Sequence, residues 1–303
     1  MSWQNYALKR YLQQNMKRRM ITAPSLDALR QFLVRAFEKF MPATQSIKMS
    51  SVESNKFDAE WLESEGTSPV NILYLHGGSF FLASAKIYRN IPAVLADSLA
   101  ARVLNLDYPL SPEASCPAVI DTVRVAYDHL LSEGVSPDTL VLVGNEAGAC
   151  LLFNLLKSLK DEGEAMPAAM VALSPLTDLT LSSGSMTANA DSDSFLSPQL
   201  IQSGIRHFLE GTQIEEQEVS PVTFNLEGFP PTFIQASEEE ILADDAKRLA
   251  QLLEAAGVHT ELDMWRETPH SWQLAVSNGD GGLPEANEAN ANVVRFVKRT
   301  IDF

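Results

Sequence analysis

The sequence predicts an α/β fold with a mostly parallel central sheet flanked by helices. From residue 70 onward, short continuous apolar runs alternate with longer amphipathic stretches. Strands that are buried on both faces read as continuous apolar runs, and parallel neighbours need helical crossovers. The chain has 303 residues, of which 45% are apolar, so it can bury a large core. These observations exclude a wholly disordered chain, a collagen-like repeat and a small disulfide scaffold.

The elements follow one another in a regular order. The predicted strands cover residues 70–75, 102–106, 139–143, 168–174, 232–236 and 261–265. The predicted helices cover residues 91–101, 118–131, 147–160, 241–256 and 287–301. Ligands bind such sheets beyond the carboxyl ends of the parallel strands, so we expect the functional residues in the loops that follow these strands.

Two amphipathic helices are predicted ahead of the sheet. Apolar residues recur at helical spacing from Trp3 to Leu12, and a second apolar stripe runs from Leu26 to Phe40. Ser25 precedes the second stripe and is suited to cap that helix. Basic residues fill much of the first helix, which leaves a membrane- or partner-binding helix as the alternative. We favour packing of both helices against the rest of the chain.

Charge and composition limit the classes of partner. The chain has 23 Lys and Arg against 39 Asp and Glu, a formal net charge of −16. Such an acidic surface repels phosphate backbones, which argues against nucleic acid and anionic membranes as main partners. No apolar run is long enough for a membrane span, and no targeting segment is recognisable. Two cysteines, Cys116 and Cys150, fit a reducing compartment, so a cytoplasmic location is expected. The scattered histidines predict no metal site.

The central chemical motif is residues 144–148, Gly-Asn-Glu-Ala-Gly. It lies between a predicted strand and a predicted helix, and its small residues permit a sharp turn that exposes the middle side chain. This is the pattern of the nucleophile elbow, G-x-S-x-G, with Glu146 where the serine is expected. Taken alone, the pentapeptide is better explained as a tight turn with an exposed glutamate.

Three further segments give the elbow a chemical context. His76, Gly77, Gly78 and Ser79 follow the first predicted strand, where amides of Gly77 and Gly78 could bind an oxyanion together with that of Ala147. An acidic cluster, residues 238–245, follows the strand at 232–236. His270 follows the last strand, where it is suited to act as a general base that a carboxylate of the cluster orients. The order of oxyanion loop, elbow, acid and base is that of α/β-hydrolases.

Several segments together resemble the hormone-sensitive-lipase-like branch of the α/β-hydrolases, which includes bacterial carboxylesterases. The matching segments are HGGSF (76–80) to the family's H-G-G-G-[FY], DYPLSPE (107–113) to D-Y-R-L-A-P-E, SPLTDLT (174–180) to S-P-W-x-D-L-T, EILADD (240–245) to D-P-L-x-D-E, and Pro269-His270 to the catalytic histidine segment. The similarity runs from about residue 45 to the carboxyl terminus. Ser79 occupies the position of the motif's third glycine.

The resemblance implies a fold, an activity and a set of roles. It implies an N-terminal helical cap arm, 1–45, and an α/β-hydrolase catalytic domain, 46–303, with a cap insertion at about 178–229. It implies cofactor-free hydrolysis of short-chain acyl or aryl esters, so the expected partner is a small ester or another small apolar ligand. His270 would be the base and Glu240 its orienting acid. Family members often dimerise, which leaves a homodimer open.

Glu146 departs from the family at the nucleophile. A carboxylate is a weaker nucleophile toward esters than an activated serine, and its charge can bind the oxyanion donors or pair with His270. We therefore expect a crippled esterase; Asn145 is compatible with either a natural or an introduced change. Two alternatives are open: a catalytically inactive binder of a small ligand, and a hydrolase that uses the Glu146 carboxylate as nucleophile.

Overall fold

An eight-stranded sheet forms the centre of the molecule. The computed structural model describes residues 1–40, 47–66, 68–277 and 281–302. The strands are β1 (Lys48–Ser51), β2 (Asp58–Glu63), β3 (Asn71–Leu75), β4 (Arg102–Asp107), β5 (Leu140–Asn145), β6 (Ala169–Leu173), β7 (Thr232–Ser237) and β8 (Thr260–Trp265). Their order in the sheet is β1-β2-β4-β3-β5-β6-β7-β8. Strand β2 is antiparallel to both of its neighbours, and the pairs from β4 to β8 are parallel.

Helices flank this sheet. They are α1 (Trp3–Tyr11), α2 (Arg18–Thr22), α3 (Leu26–Phe40), α4 (Ala85–Tyr88), α5 (Asn90–Leu99), α6 (Cys116–Ser132), α7 (Ala147–Glu162), α8 (Ser185–Ala188), α9 (Pro198–Leu209), α10 (Ala243–Ala255) and α11 (Pro284–Ile301). Helix α5 packs against α11, α6 packs against α7, and α10 packs on β7 and β8. The mostly parallel sheet with flanking helices confirms the predicted fold class.

The antiparallel edge of the sheet was not predicted. Strands β1 and β2 precede the first predicted strand, and every residue of β1 is exposed. A strand without buried residues carries no apolar run, so its sequence lacks the pattern by which the other strands were recognised. The expected boundary between the arm and the main domain, at residues 45 and 46, lies outside the described residues.

The N-terminal arm packs on the rest of the chain, as favoured from the sequence. The Ser25 hydroxyl accepts a hydrogen bond from the Ala28 amide, which confirms its capping role. Helix α1 continues through a π-helical segment, Leu12–Lys17, into α2. The Lys17 ammonium donates to the carbonyl oxygens of Ala190 and Asp193, each at 2.7 Å. These contacts fasten the arm to the segment between β6 and β7.

That segment carries α8 and α9, and α9 lies against the loop that follows β3. A Cβ atom at Gly204 would stand 2.1 Å from the Ser79 carbonyl oxygen, so only glycine permits this approach. One turn further, the rings of Phe80 and Phe208 stack with centroids 4.0 Å apart. The insertion therefore supports the backbone of the loop after β3.

We expect Gly204→Ala to destabilise the protein. The added methyl group meets a backbone atom, so the helix or the loop must shift, at a cost of about 1–3 kcal/mol. Urea unfolding followed by circular dichroism measures this loss. Ser203→Ala, on the same helix, is the control and should leave the midpoint nearly unchanged. Equal midpoints for the two variants would contradict the close packing.

Candidate active site

The elbow is a strained junction between β5 and α7. Glu146 has φ 49° and ψ −111°, outside the regions that non-glycine residues normally adopt, and only 1% of it is exposed. Glycines on both sides make the turn sterically feasible. A Cβ at Gly144 would stand 2.6 Å from the Ala149 backbone, and one at Gly148 would stand 2.3 Å from the Leu75 carbonyl oxygen. The predicted sharp turn is therefore present, but its central side chain is buried rather than exposed.

Strand register brings the loop after β3 beside the elbow. Leu75 pairs with Gly144, so the residues that follow these strands are neighbours. The glycine loop, residues 76–81, begins with His76, whose ring stacks on Tyr108 with centroids 4.2 Å apart. The Tyr108 hydroxyl donates to the His76 carbonyl oxygen at 2.8 Å. Tyr108 thus fixes the first residue of this loop through both the ring and the carbonyl group of His76.

The Glu146 carboxylate accepts three hydrogen bonds from the glycine loop. Its Oε2 accepts from the amides of Gly78, at 2.5 Å, and Ser79, at 2.8 Å. Its Oε1 accepts from the Ser79 hydroxyl at 2.6 Å. Gly78 has φ 115° and Ser79 has φ 52°, and this positive-φ backbone turns the two successive amides toward one anion.

The donors to the carboxylate overlap only in part with the predicted oxyanion donors. The amides of Gly77, Gly78 and Ala147 are predicted to bind an oxyanion, and the Glu146 carboxylate is bound by those of Gly78 and Ser79. Gly77 supplies space instead, because a Cβ there would stand 2.8 Å from the Tyr88 hydroxyl and 3.0 Å from the Glu146 carboxylate. The amide of Ala147 is not among the groups that bind the carboxylate in the described part of the chain.

Glu240 and His270 form a buried pair. Ser237 and Trp265, at the ends of β7 and β8, are paired in the sheet, which places the two following loops side by side. Glu240 Oε2 lies 2.5 Å from His270 Nδ1, and Glu240 Oε1 accepts the Ser237 amide at 2.8 Å. The carboxylate is thereby fixed on one side by backbone and on the other by the imidazole.

The ionisation of His270 reflects competing influences. Burial disfavours the imidazolium, but the hydrogen bond and charge of Glu240, with the charges of Glu146 and Asp193, raise the pKa of His270. Burial also raises the pKa of Glu240, although its bond to His270 opposes that shift. The charges thus favour a protonated His270 among three carboxylates.

Glu146 and His270 line one small cavity beneath the arm and the insertion. It holds about 20 Å³ of free space, close to that of one water molecule. Its other lining residues are mostly apolar and come from α2 and α3, the loop after β3, α4 and the insertion: Met20, Leu33, Phe37, Gly78, Ser79, Leu82, Ala83, Ile87, Tyr88, Phe195, Leu196 and Leu200. A wider groove of about 780 Å³ lies along α9 and contains none of the predicted site residues.

Comparison with known proteins identifies the family. The alpha/beta hydrolase fold family matches residues 72–274. An esterase of Acinetobacter venetianus is 31% identical over 295 residues, covering 95% of this chain and 96% of that protein. An acetyl-hydrolase of Streptomyces hygroscopicus is 36% identical over 214 residues, 71% of this chain and 72% of that protein. The crystal structure of an esterase from the bacterial hormone-sensitive lipase family superposes with a TM-score of 0.89 at 30% identity, covering 99% of each chain.

The chain belongs to the hormone-sensitive-lipase-like family of α/β-hydrolases. The family assignment made from the sequence is therefore confirmed. Within the part of the chain that the structure describes, no cluster of three or more His, Cys, Asp or Glu side chains could hold a metal ion. No helix there has the length and apolar character needed to cross a membrane.

Several residues that contact Glu240, His270 or their loops were not predicted from the sequence. Asp193, in the insertion, accepts the amides of Phe195 and Leu196 and also that of Ile241, which follows Glu240. Phe195 in turn stacks parallel to the His270 ring, with centroids 6.1 Å apart. Asp193 has no motif context in the sequence, and only the fold brings it to the Glu240 loop.

A second group links the elbow to the histidine loop. The Ser271 hydroxyl donates to Asn145 Oδ1 at 2.9 Å, so Asn145 holds the loop that carries His270. Burial, with the charge of Glu146, raises the pKa of Tyr88 despite a hydrogen bond to Ser271. Tyr88 therefore stays a neutral phenol beneath the carboxylate. Adjacency to a motif residue was the only sequence signal for Ser271.

We expect Glu146→Gln to lower the pKa of His270. The glutamate charge stabilises the imidazolium, so its removal leaves the neutral ring favoured down to a lower pH. Titration of the His270 ring by NMR measures the change. Glu227→Gln makes the same substitution at an exposed position and should leave the titration unchanged. An unaltered midpoint in Glu146→Gln would show that the two groups do not interact electrostatically.

Proposed function

We propose that this chain is an ester hydrolase for short-chain acyl or aryl esters whose turnover is suppressed by Glu146. The observation that carries the proposal is the binding of the Glu146 carboxylate by the amides of Gly78 and Ser79. Amides in such a loop stabilise the oxyanion that forms during acyl transfer. A carboxylate bound there competes with that oxyanion, and it also removes the family's serine nucleophile.

The remaining machinery supports this function. His270, oriented by Glu240, would act as the base once a nucleophile with a removable proton stood at position 146. The amides of Gly78 and Ser79 would then be released to bind the carbonyl oxygen. The reaction uses side chains and water and requires no cofactor. Loss of serine in such a triad costs about 10⁶ in kcat, whereas other groups retain about 10³–10⁴ over water.

The small cavity favours a short acyl group. Free space for about one water molecule leaves little room beside the apolar residues of the arm and the insertion, such as Phe37 and Leu200. The relatives include proteins named esterase and acetyl-hydrolase. We propose that the arm, 1–45, and the insertion, 178–229, form the cap that limits chain length.

Restoring the nucleophile tests the proposal. We expect Glu146→Ser to raise kcat/KM for p-nitrophenyl acetate by about 10³-fold or more, because the serine both attacks and vacates the oxyanion donors. Glu146→Ala vacates the donors without supplying a nucleophile and should gain far less. His270→Ala in the Glu146→Ser background should abolish the gain. Chromogenic assays with acetate, butyrate and longer esters measure activity and chain-length preference.

The same variants distinguish the two alternatives. A folded Glu146→Ser protein without turnover would overturn the proposal and favour a catalytically inactive ligand binder. Turnover by the unsubstituted chain that disappears in Glu146→Gln and leaves ¹⁸O from labelled water in Glu146 would favour carboxylate-nucleophile chemistry. Circular dichroism of each variant confirms that the compared proteins are folded.

A further inference from the structure

Two departures from the family motifs meet at one hydrogen bond. Glu146 replaces the elbow serine, and Ser79 replaces the third glycine of the loop. The Ser79 hydroxyl lies 2.6 Å from Glu146 Oε1, and each residue is only 1% exposed. An ionised carboxylate can only accept, so the hydroxyl proton points at the carboxylate. The site has thus lost one serine and gained another beside a base.

This pair has the arrangement that activates a hydroxyl. A serine becomes nucleophilic when an adjacent base within hydrogen-bond reach takes its proton. Glu146 Oε2 is fixed by the amides of Gly78 and Ser79, which leaves Oε1 directed at the Ser79 hydroxyl. The base is thereby held in place by the same loop that carries the hydroxyl.

His270 supplies a proton donor on the same cavity. Its Nδ1 is held by Glu240, while its Nε2 makes no hydrogen bond within the described part of the chain. Ser79, Glu146 and His270 all line the cavity. The surrounding carboxylates raise the pKa of His270, which favours the imidazolium needed for proton donation.

We propose that Ser79 is a nucleophile in this chain, with Glu146 as its general base and His270 as the general acid. This inference rests on the proposed ester-hydrolase function, and it assigns the activity that remains despite Glu146. The elbow residue changes its role from nucleophile to base, and the histidine changes from base to acid. The substrate class is the short-chain acyl or aryl ester of the proposed function.

The steps balance in atoms and charge. Ser79 Oγ bonds to the acyl carbon while its proton passes to Glu146 Oε1 and the carbonyl electron pair moves to oxygen. When the carbonyl re-forms, the bond to the alcohol oxygen breaks and His270 Nε2 protonates that oxygen. Water then attacks the acyl-serine and gives its proton to neutral His270. Ser79 Oγ leaves with the proton held by Glu146, which restores the starting state and releases the acid.

A fluorophosphonate probe tests the nucleophile without ester turnover. Attack by Ser79 forms an oxygen–phosphorus bond, releases fluoride and transfers the proton to Glu146. Intact-mass measurement and peptide mapping of the unsubstituted chain should find one adduct, on Ser79. Ser79→Ala and Ser79→Gly should show none; glycine at this positive-φ position relieves strain, which protects against a folding artefact.

Matched variants distinguish the role of Glu146 as general base from a general effect of removing a buried serine hydroxyl. Glu146→Gln should slow labelling about 10²-fold or more, the usual contribution of a general base. Ser194→Ala is the control: Ser194 is buried in the insertion, and its hydroxyl has no hydrogen-bond partner in the described part of the chain. Its removal should leave the adduct on Ser79.

The outcomes distinguish this inference from the proposed function. No adduct on the unsubstituted chain, with labelling at position 146 in Glu146→Ser, would overturn the role of Ser79 and leave the proposed function intact. An adduct on Ser79 with an inactive Glu146→Ser protein would support the inference and refute the suppressed triad. An adduct on Glu146 itself, or an unchanged rate in Glu146→Gln, would refute the assigned roles.

Discussion

The site depends on the close contact of Gly148 with the end of β3. Helix α7 begins one residue after Glu146, and its first turn lies so close to the Leu75 and His76 carbonyl groups that no Cβ fits at position 148. That contact fixes both sides of the site at once, since Glu146 belongs to the elbow and His76 begins the glycine loop. The positive φ of Glu146 is a local cost that the surrounding packing maintains.

Three hydrogen bonds explain how a carboxylate tolerates this buried position. An isolated buried charge is costly, and donors must replace the water it loses. The amides of Gly78 and Ser79 and the Ser79 hydroxyl provide this replacement. These donors therefore stabilise the resting protein. Under the function proposed above, ester turnover would need the same donors for the reaction intermediate.

The sequence predicted the parts of this fold that are encoded locally. Apolar runs located six strands, and the position of the segments around 76, 146, 240 and 270 directly after such strands, in the motif order of α/β-hydrolases, predicted that they would meet. The exposed edge strand β1 has no such run and was missed. At the site, loop conformation selects the amides that bind the carboxylate: with positive φ at both Gly78 and Ser79, the amides of these two residues bind it, and the Ser79 amide was not among the predicted donors. Backbone angles in a glycine-rich loop cannot be read from residue types alone.

The insertion between β6 and β7 contacts the loops that carry the candidate site residues, in addition to covering the cavity. Asp193 binds the amide after Glu240 and the amides that lead into Phe195, which stacks on His270. Because residue 204 is glycine, α9 can pack directly against the Ser79 carbonyl group. The same insertion thus supports the imidazole and the glycine loop. A change in its packing would therefore act on both the His270 loop and the glycine loop, and the Lys17 contacts join the N-terminal arm to the same insertion.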